Sequence, residues 1–337
     1  MNNMVMNKQG GRNHAVDLMK LFAAILITNS HMQEVYPARF AHLAFGGAIG
    51  DALFFFCSGF LLMLGGSDDF FNWYKRRINR IIPAVFSVAL ISIVFFKHDP
   101  TLRNVIVNGG GWFVRAIFLF YAIFWFVKKY LYDKLWIAFV INTAIILICF
   151  LFLWDYDNFI LVGTQYMRLP VFFLVMLFGA AISKRLTLSE QPAEQKRSSL
   201  LAWFLIFVTS VMFYYVYIYL QNRFPILKYL QLLLVPVLMV IVYAFYRFCS
   251  CSNVIKVFCN KYLHWLLYGI SACCLEIYLT GGWMFGLGSK LSHMFPLNII
   301  ITFILIFIVA YLAKIFSNFL SQTFKTEKYD WKGMIRL

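Results

Sequence analysis

Charge is scarce in this chain. Of 337 residues only 13% are Asp, Glu, Lys or Arg, and just 14 of them are acidic. Soluble globular domains carry about 25% charged residues. With 62% hydrophobic residues and a mean hydropathy of +0.75, the chain cannot present a polar surface to water, which excludes the soluble classes. Also missing are a loop long enough for a separate soluble domain, a low-complexity tract, an internal repeat and a paired C-x-x-C. The last absence argues against a structural zinc site. Of the seven cysteines, Cys57, Cys149, Cys273 and Cys274 fall within apolar runs, where a thiol packs as a small hydrophobe. Cys249, Cys251 and Cys259 share a loop without metal-ligand spacing. No metal and no permanently bound cofactor is expected.

What is present is apolar sequence in lengths that fit a bilayer, which needs about 20 residues per helix. Ten runs stand out: 15–35, 48–66, 79–97, 111–128, 134–154, 168–184, 200–220, 230–248, 263–286 and 296–320. The first is long, carries Lys20 and lacks an A-x-A cleavage pattern, so it reads as a retained helix rather than a signal peptide. The expected fold is all-α: a polytopic integral membrane protein forming one transmembrane unit over 1–337, with short tails at about 1–14 and 321–337.

The net charge of +16 would suggest nucleic acid in a soluble protein, but its distribution says otherwise. Alternate loops divide the basic residues 21 to seven, with Lys20 and Arg115 left inside spans. Cytoplasmic loops collect Lys and Arg, so the alternation predicts ten helices with both termini cytoplasmic. Cations scattered over many short loops make no nucleic-acid groove, and no nucleic-acid partner is expected.

Ionisable residues inside spans are costly and tend to be functional. Lys20 and His31 are eleven residues apart, about 16 Å along the axis and nearly on one helical face. That face presents a cation in the inner half and an imidazole near the outer end. Snorkelling of Lys20 beside Asp17, with His31 marking the interface, is the structural alternative. "WYKRRINRIIPA" at 73–84 spaces Arg76, Arg77 and Arg80 so that their guanidiniums can converge. Such forks suit phosphate oxygens, although a plain positive-inside anchor has the same composition. In "GDALFFFCSGFLL" at 50–62, Asp51 enters from outside and Ser58-Gly59 lies near mid-span, where small residues serve close packing. Glu34, Arg115 and Glu276 are further outer-half candidates, with Trp112, Tyr278 and Trp283 at similar depth as belt residues or sugar-stacking rings.

Taken in order, these stretches resemble acyltransferase family 3. The residues that carry the likeness are Lys20-x10-His31 within "DLMKLFAAILITNSH", "FFFCSGFL" at 55–62 after Asp51, and Arg76-Arg77-x-x-Arg80 followed by Pro83. "GGGWFVRAIFLFYAIF" at 109–124 and "SACCLEIYLTGG" at 271–282 continue it. The late-helix histidine common in the family is Gly281 here. The resemblance implies a membrane O-acyltransferase that takes an acyl group, most commonly acetyl, from cytoplasmic acyl-CoA as cosubstrate. The acceptor would be a hydroxyl of a cell-surface or exported carbohydrate, and the setting the plasma (inner) membrane. It implies Lys20, Arg76, Arg77 and Arg80 at the CoA phosphates and His31 as general base or acyl-accepting nucleophile. Asp51, Glu34, Ser58, Trp112, Arg115, Glu276 and Tyr278 are acceptor-binding or orienting candidates. A transporter or flippase of glycan intermediates or acyl groups, without chemistry, is the rival reading, since it too would line a path with intramembrane charge. The oligomeric state leaves no mark in the sequence.

Overall fold

A computed structural model describes residues 13–66, 69–96, 111–156, 160–188, 200–251, 264–323 and 328–335. Cys259, the N-terminal tail to residue 12 and most of the 185–199 loop therefore lie outside the described residues. Twelve α-helices follow one another without a strand among the described residues. They are α1 (His14–Ser30), α2 (Gly47–Leu64), α3 (Phe70–Phe96), α4 (Gly111–Tyr130), α5 (Leu135–Phe152) and α6 (Gln165–Leu188), then α7 (Leu200–Gln221), α8 (Leu234–Cys251), α9 (His264–Ala272), α10 (Cys274–Lys290), α11 (Leu297–Thr323) and α12 (Trp331–Ile335). Helix is the required answer to such a sequence, because in lipid each backbone N–H and C=O must find its partner within the segment.

Eight helices are long and apolar enough to cross a membrane among the described residues, and the chain is a multi-pass membrane protein. The two other expected runs, 15–35 and 263–286, are not among them. Helix α1 has 17 residues. The run at 263–286 is interrupted at Cys273 into α9 and α10.

Helix α2 is central, packed against α1, α6 and α8. Its Phe55 is fully buried and meets Phe172 of α6 and Phe113 and Phe120 of α4, with ring centroids 5.4, 5.3 and 5.1 Å away. At the α2–α6 crossing side chains disappear altogether. A Cβ on Gly59 would overlap the carbonyl of Met176, and one on Gly179 would overlap the carbonyl of Phe56. Backbone thus lies on backbone, the close approach that small residues permit where lipid offers no hydrophobic drive. Helix α1 rests in the angle between α2, α8, α9 and α10. It therefore faces α2 and α10, which carry Asp51, Ser58, Glu276 and Tyr278.

Candidate active site

At the Lys20 end of α1, polar groups from six helices converge. The Cys274 thiol of α10 donates to the Lys20 carbonyl at 3.7 Å, and the Cys57 thiol of α2 to the Val16 carbonyl at 3.7 Å. The charge of Lys20 acts on both sulfurs, and that of Arg80 on Cys274. Asp17, one turn before Lys20, accepts the Ser271 hydroxyl at 3.2 Å. On α3 the guanidinium of Arg77 lies 5.0 Å from the Trp73 ring centre and within electrostatic reach of Arg76 and Arg80, both exposed. Ser58 hydrogen-bonds the Tyr121 phenol, which is itself within reach of Arg77 and Arg80.

One cation at this end was invisible as a site residue in the sequence. Lys128 is buried, and its ammonium donates to the carbonyls of Leu62 at 2.8 Å, Met63 at 3.0 Å and Gly65. These are the orphan acceptors at the C-terminus of α2, where a positive charge is favoured.

The other end of α1 gathers a different set. His31 follows the last turn, its N–H bonded to the Thr28 carbonyl at 3.1 Å and its side chain exposed. Asn29 donates to the carbonyls of Leu43 (2.8 Å) and Phe45 (3.0 Å) and accepts from Tyr36 (2.6 Å). These bonds fold the 31–46 loop back beside the histidine. Arg168 sits three residues into α6 and binds the carbonyls of Val162 (2.8 Å) and Gly163 (2.7 Å) through Nε and Nη2. Its guanidinium lies over the Trp112 ring, 4.5 Å from the centre, and its charge reaches both His31 and Asp51. Tyr278 completes the group. Its hydroxyl is hydrogen-bonded to the backbone of Phe113, and it lies within reach of Asp51, Arg168 and Arg115.

So the structure brings His31, Asp51, Trp112, Arg115 and Tyr278 together, with Arg168 added. In the sequence Arg168 looks like one more loop charge. The only hint is its position at the start of an apolar run, two residues before Pro170. Three other candidates lie elsewhere. Glu34 is exposed in the turn after α1. Ser58 belongs to the Lys20 end through Tyr121. Glu276 was expected at the outer level, but it is buried against α11, where Lys314 donates to it at 3.0 Å, and it acts electrostatically on Cys274 beside Lys20. Among the described residues no group of three His, Cys, Asp or Glu is arranged to hold a metal.

The family model for the acyltransferase family 3 domain matches residues 13–317, nearly the whole chain. The chain belongs to acyltransferase family 3. No curated protein and no solved structure matches it. As a family 3 member it is a membrane acyltransferase. At Gly281, where the family's late-helix histidine would stand, a Cβ would meet only Phe285, at 3.7 Å.

Proposed function

We propose that this protein transfers an acyl group, acetyl above all, from cytoplasmic acyl-CoA to a hydroxyl of an exported or cell-surface carbohydrate. The carrying observation is the division of α1. Cations of α1, α3 and α4 gather at its Lys20 end, while an imidazole, a carboxylate and a phenol gather at its His31 end. The two ends are about 16 Å apart along the axis. In this reading Lys20 and Arg76, Arg77 and Arg80 take the CoA phosphates, for which guanidinium forks are suited. The thioester arm then reaches along α1 toward His31, with the termini cytoplasmic and the protein in the plasma membrane.

At the far end His31 removes the proton of the acceptor hydroxyl while its oxygen attacks the thioester carbonyl. The C–O bond forms, the C–S bond breaks, and the CoA thiolate takes the proton from the imidazolium. Asp51 and Tyr278 orient acceptor and imidazole, and no resident cofactor is needed.

The test follows radiolabelled acetyl-CoA in host membranes carrying wild type or His31→Ala at equal abundance. Label in the glycan fraction with wild type and its loss in the variant is the expected result. Equal label in both would remove His31 as the base. No label in either would overturn the donor or acceptor assignment.

A further inference from the structure

The first turns of α4 and α6 border a cavity of about 180 Å³ lined by Trp112, Arg115, Ala116, Gln165, Arg168 and neighbouring leucines. Its chemistry is one-sided. Two guanidiniums and an amide line it, and among the described residues no carboxylate does. Neither arginine forms an ion pair among the described residues. Arg115 spends its Nε on the Gly111 carbonyl at 3.2 Å, within its own helix, and is otherwise exposed. Arg168 is held more firmly, by two carbonyls of the preceding turn and by the Trp112 face. A guanidinium fixed on carbonyls and an aromatic ring has lost its side-chain freedom before any ligand arrives, which lowers the entropic cost of binding. The Thr164 hydroxyl, which precedes α6, is buried with no partner among the described residues. Both helices also begin at this cavity, so their N-terminal partial charges add to the same sign.

We infer that this cavity binds an oxyanion, phosphate or carboxylate, carried by the saccharide acceptor. Two planar forks on adjacent helix ends grip such a group through paired N–H···O bonds, and Gln165 adds an amide donor. The charge of Arg168 reaches His31 and Asp51, so an acceptor anchored here would hold its hydroxyls near the imidazole. The inference rests on the proposed reading in one respect, that the acceptor arrives at the His31 end. The same chemistry could come instead from the phosphate of a bilayer lipid.

The test uses the full chain in nanodiscs of phosphatidylcholine, without acyl-CoA. Equilibrium binding of labelled glucose 1-phosphate, glucuronate and glucose is measured for wild type, Arg168→Gln, Arg168→Lys and Arg115→Gln/Arg168→Gln. Wild type is expected to hold the two anionic sugars at least tenfold more tightly than glucose. The double variant should lose that preference, and Arg168→Lys should keep part of it. Equal binding of all three sugars, or a double variant that binds like wild type, would overturn the inference. In a second arm the discs contain phosphatidylglycerol. Unchanged sugar-phosphate binding supports the acceptor as source, whereas its abolition assigns the site to lipid headgroups and overturns the inference. Parallel acetyl-CoA labelling keeps the two readings apart. Anionic-sugar binding without transfer sinks the proposed function alone, and transfer without anionic preference sinks this inference alone.

Discussion

The ammonium of Lys128 on α4 lies 2.8 Å from the carbonyl oxygen of Leu62 at the end of α2. It also holds the next carbonyl, of Met63, and that of the C-cap residue Gly65, which is extended, so one side chain closes the end of this helix. Removing one partner of a buried hydrogen bond costs about 1–3 kcal/mol. Lys128→Met keeps the aliphatic stem and leaves the carbonyls bare. It is expected to destabilise the protein by about 2 kcal/mol by that measure, read as a lower unfolding temperature in detergent. Lys128→Arg should recover part of the loss. An unchanged transition in Lys128→Met would show that the carbonyls are satisfied without it.

Glu276 and Lys314 form a pair of another kind. The carboxylate is buried, and its Oε2 has no hydrogen-bond partner among the described residues. Lys314→Met strands it, at a cost of about 3–5 kcal/mol for an uncompensated buried charge. Glu276→Gln in the same chain should restore most of that stability, since the pair itself contributes little against a neutral replacement. A double variant as unstable as the single one would mean that Lys314 matters for packing rather than charge.

Glycines in neighbouring helices should respond in opposite ways. Gly59→Ala or Gly179→Ala drives a methyl into a facing backbone carbonyl and is expected to cost more than the usual 1–3 kcal/mol of overpacking, because backbone cannot rotate aside. Gly281→Ala meets ordinary van der Waals space and should gain up to about 1 kcal/mol of helix propensity. Folded yield of the three variants in one host membrane decides it. Wild-type yield of Gly59→Ala would disprove the backbone contact.

The two ends of α1 predict different kinetic defects. His31→Ala should lower kcat by about 10²–10⁴, the usual contribution of a general base, with little change in KM for acyl-CoA. Arg77→Gln should instead raise that KM and leave kcat near wild type, because it removes binding without touching the proton transfer. Reversed behaviour of the pair would exchange their assignments.

The sequence disclosed what depends on run length and helical period. Spans were legible because a bilayer demands long apolar stretches, and the Lys20–His31 face because eleven residues return almost to one side of a helix. Contacts across helices were not. Arg168 joins Trp112 from 56 positions away, and no local pattern marks that meeting. Lys128 looks like any anchoring charge at a helix end, since a lysine that snorkels and one that closes another helix share the same sequence setting. In the sequence, its place in the 263–286 run puts Glu276 in the outer half. Its partner, however, is set by how α11 returns alongside α10.

The bare crossing of α2 and α6 has a mechanical consequence. Asp51 rides on one of these helices and Arg168 on the other, while the carbonyls gripped by Lys128 terminate the first. Where two main chains touch there are no rotamers to exchange, and tightly packed contacts switch between discrete states rather than deform. The pair therefore behaves as a single beam that fixes the spacing between the polar groups at the Lys20 end of α1 and those at its His31 end. If acyl-CoA is the donor, as proposed, its flexible arm rather than a shift of these two helices must supply the reach between the two ends of α1.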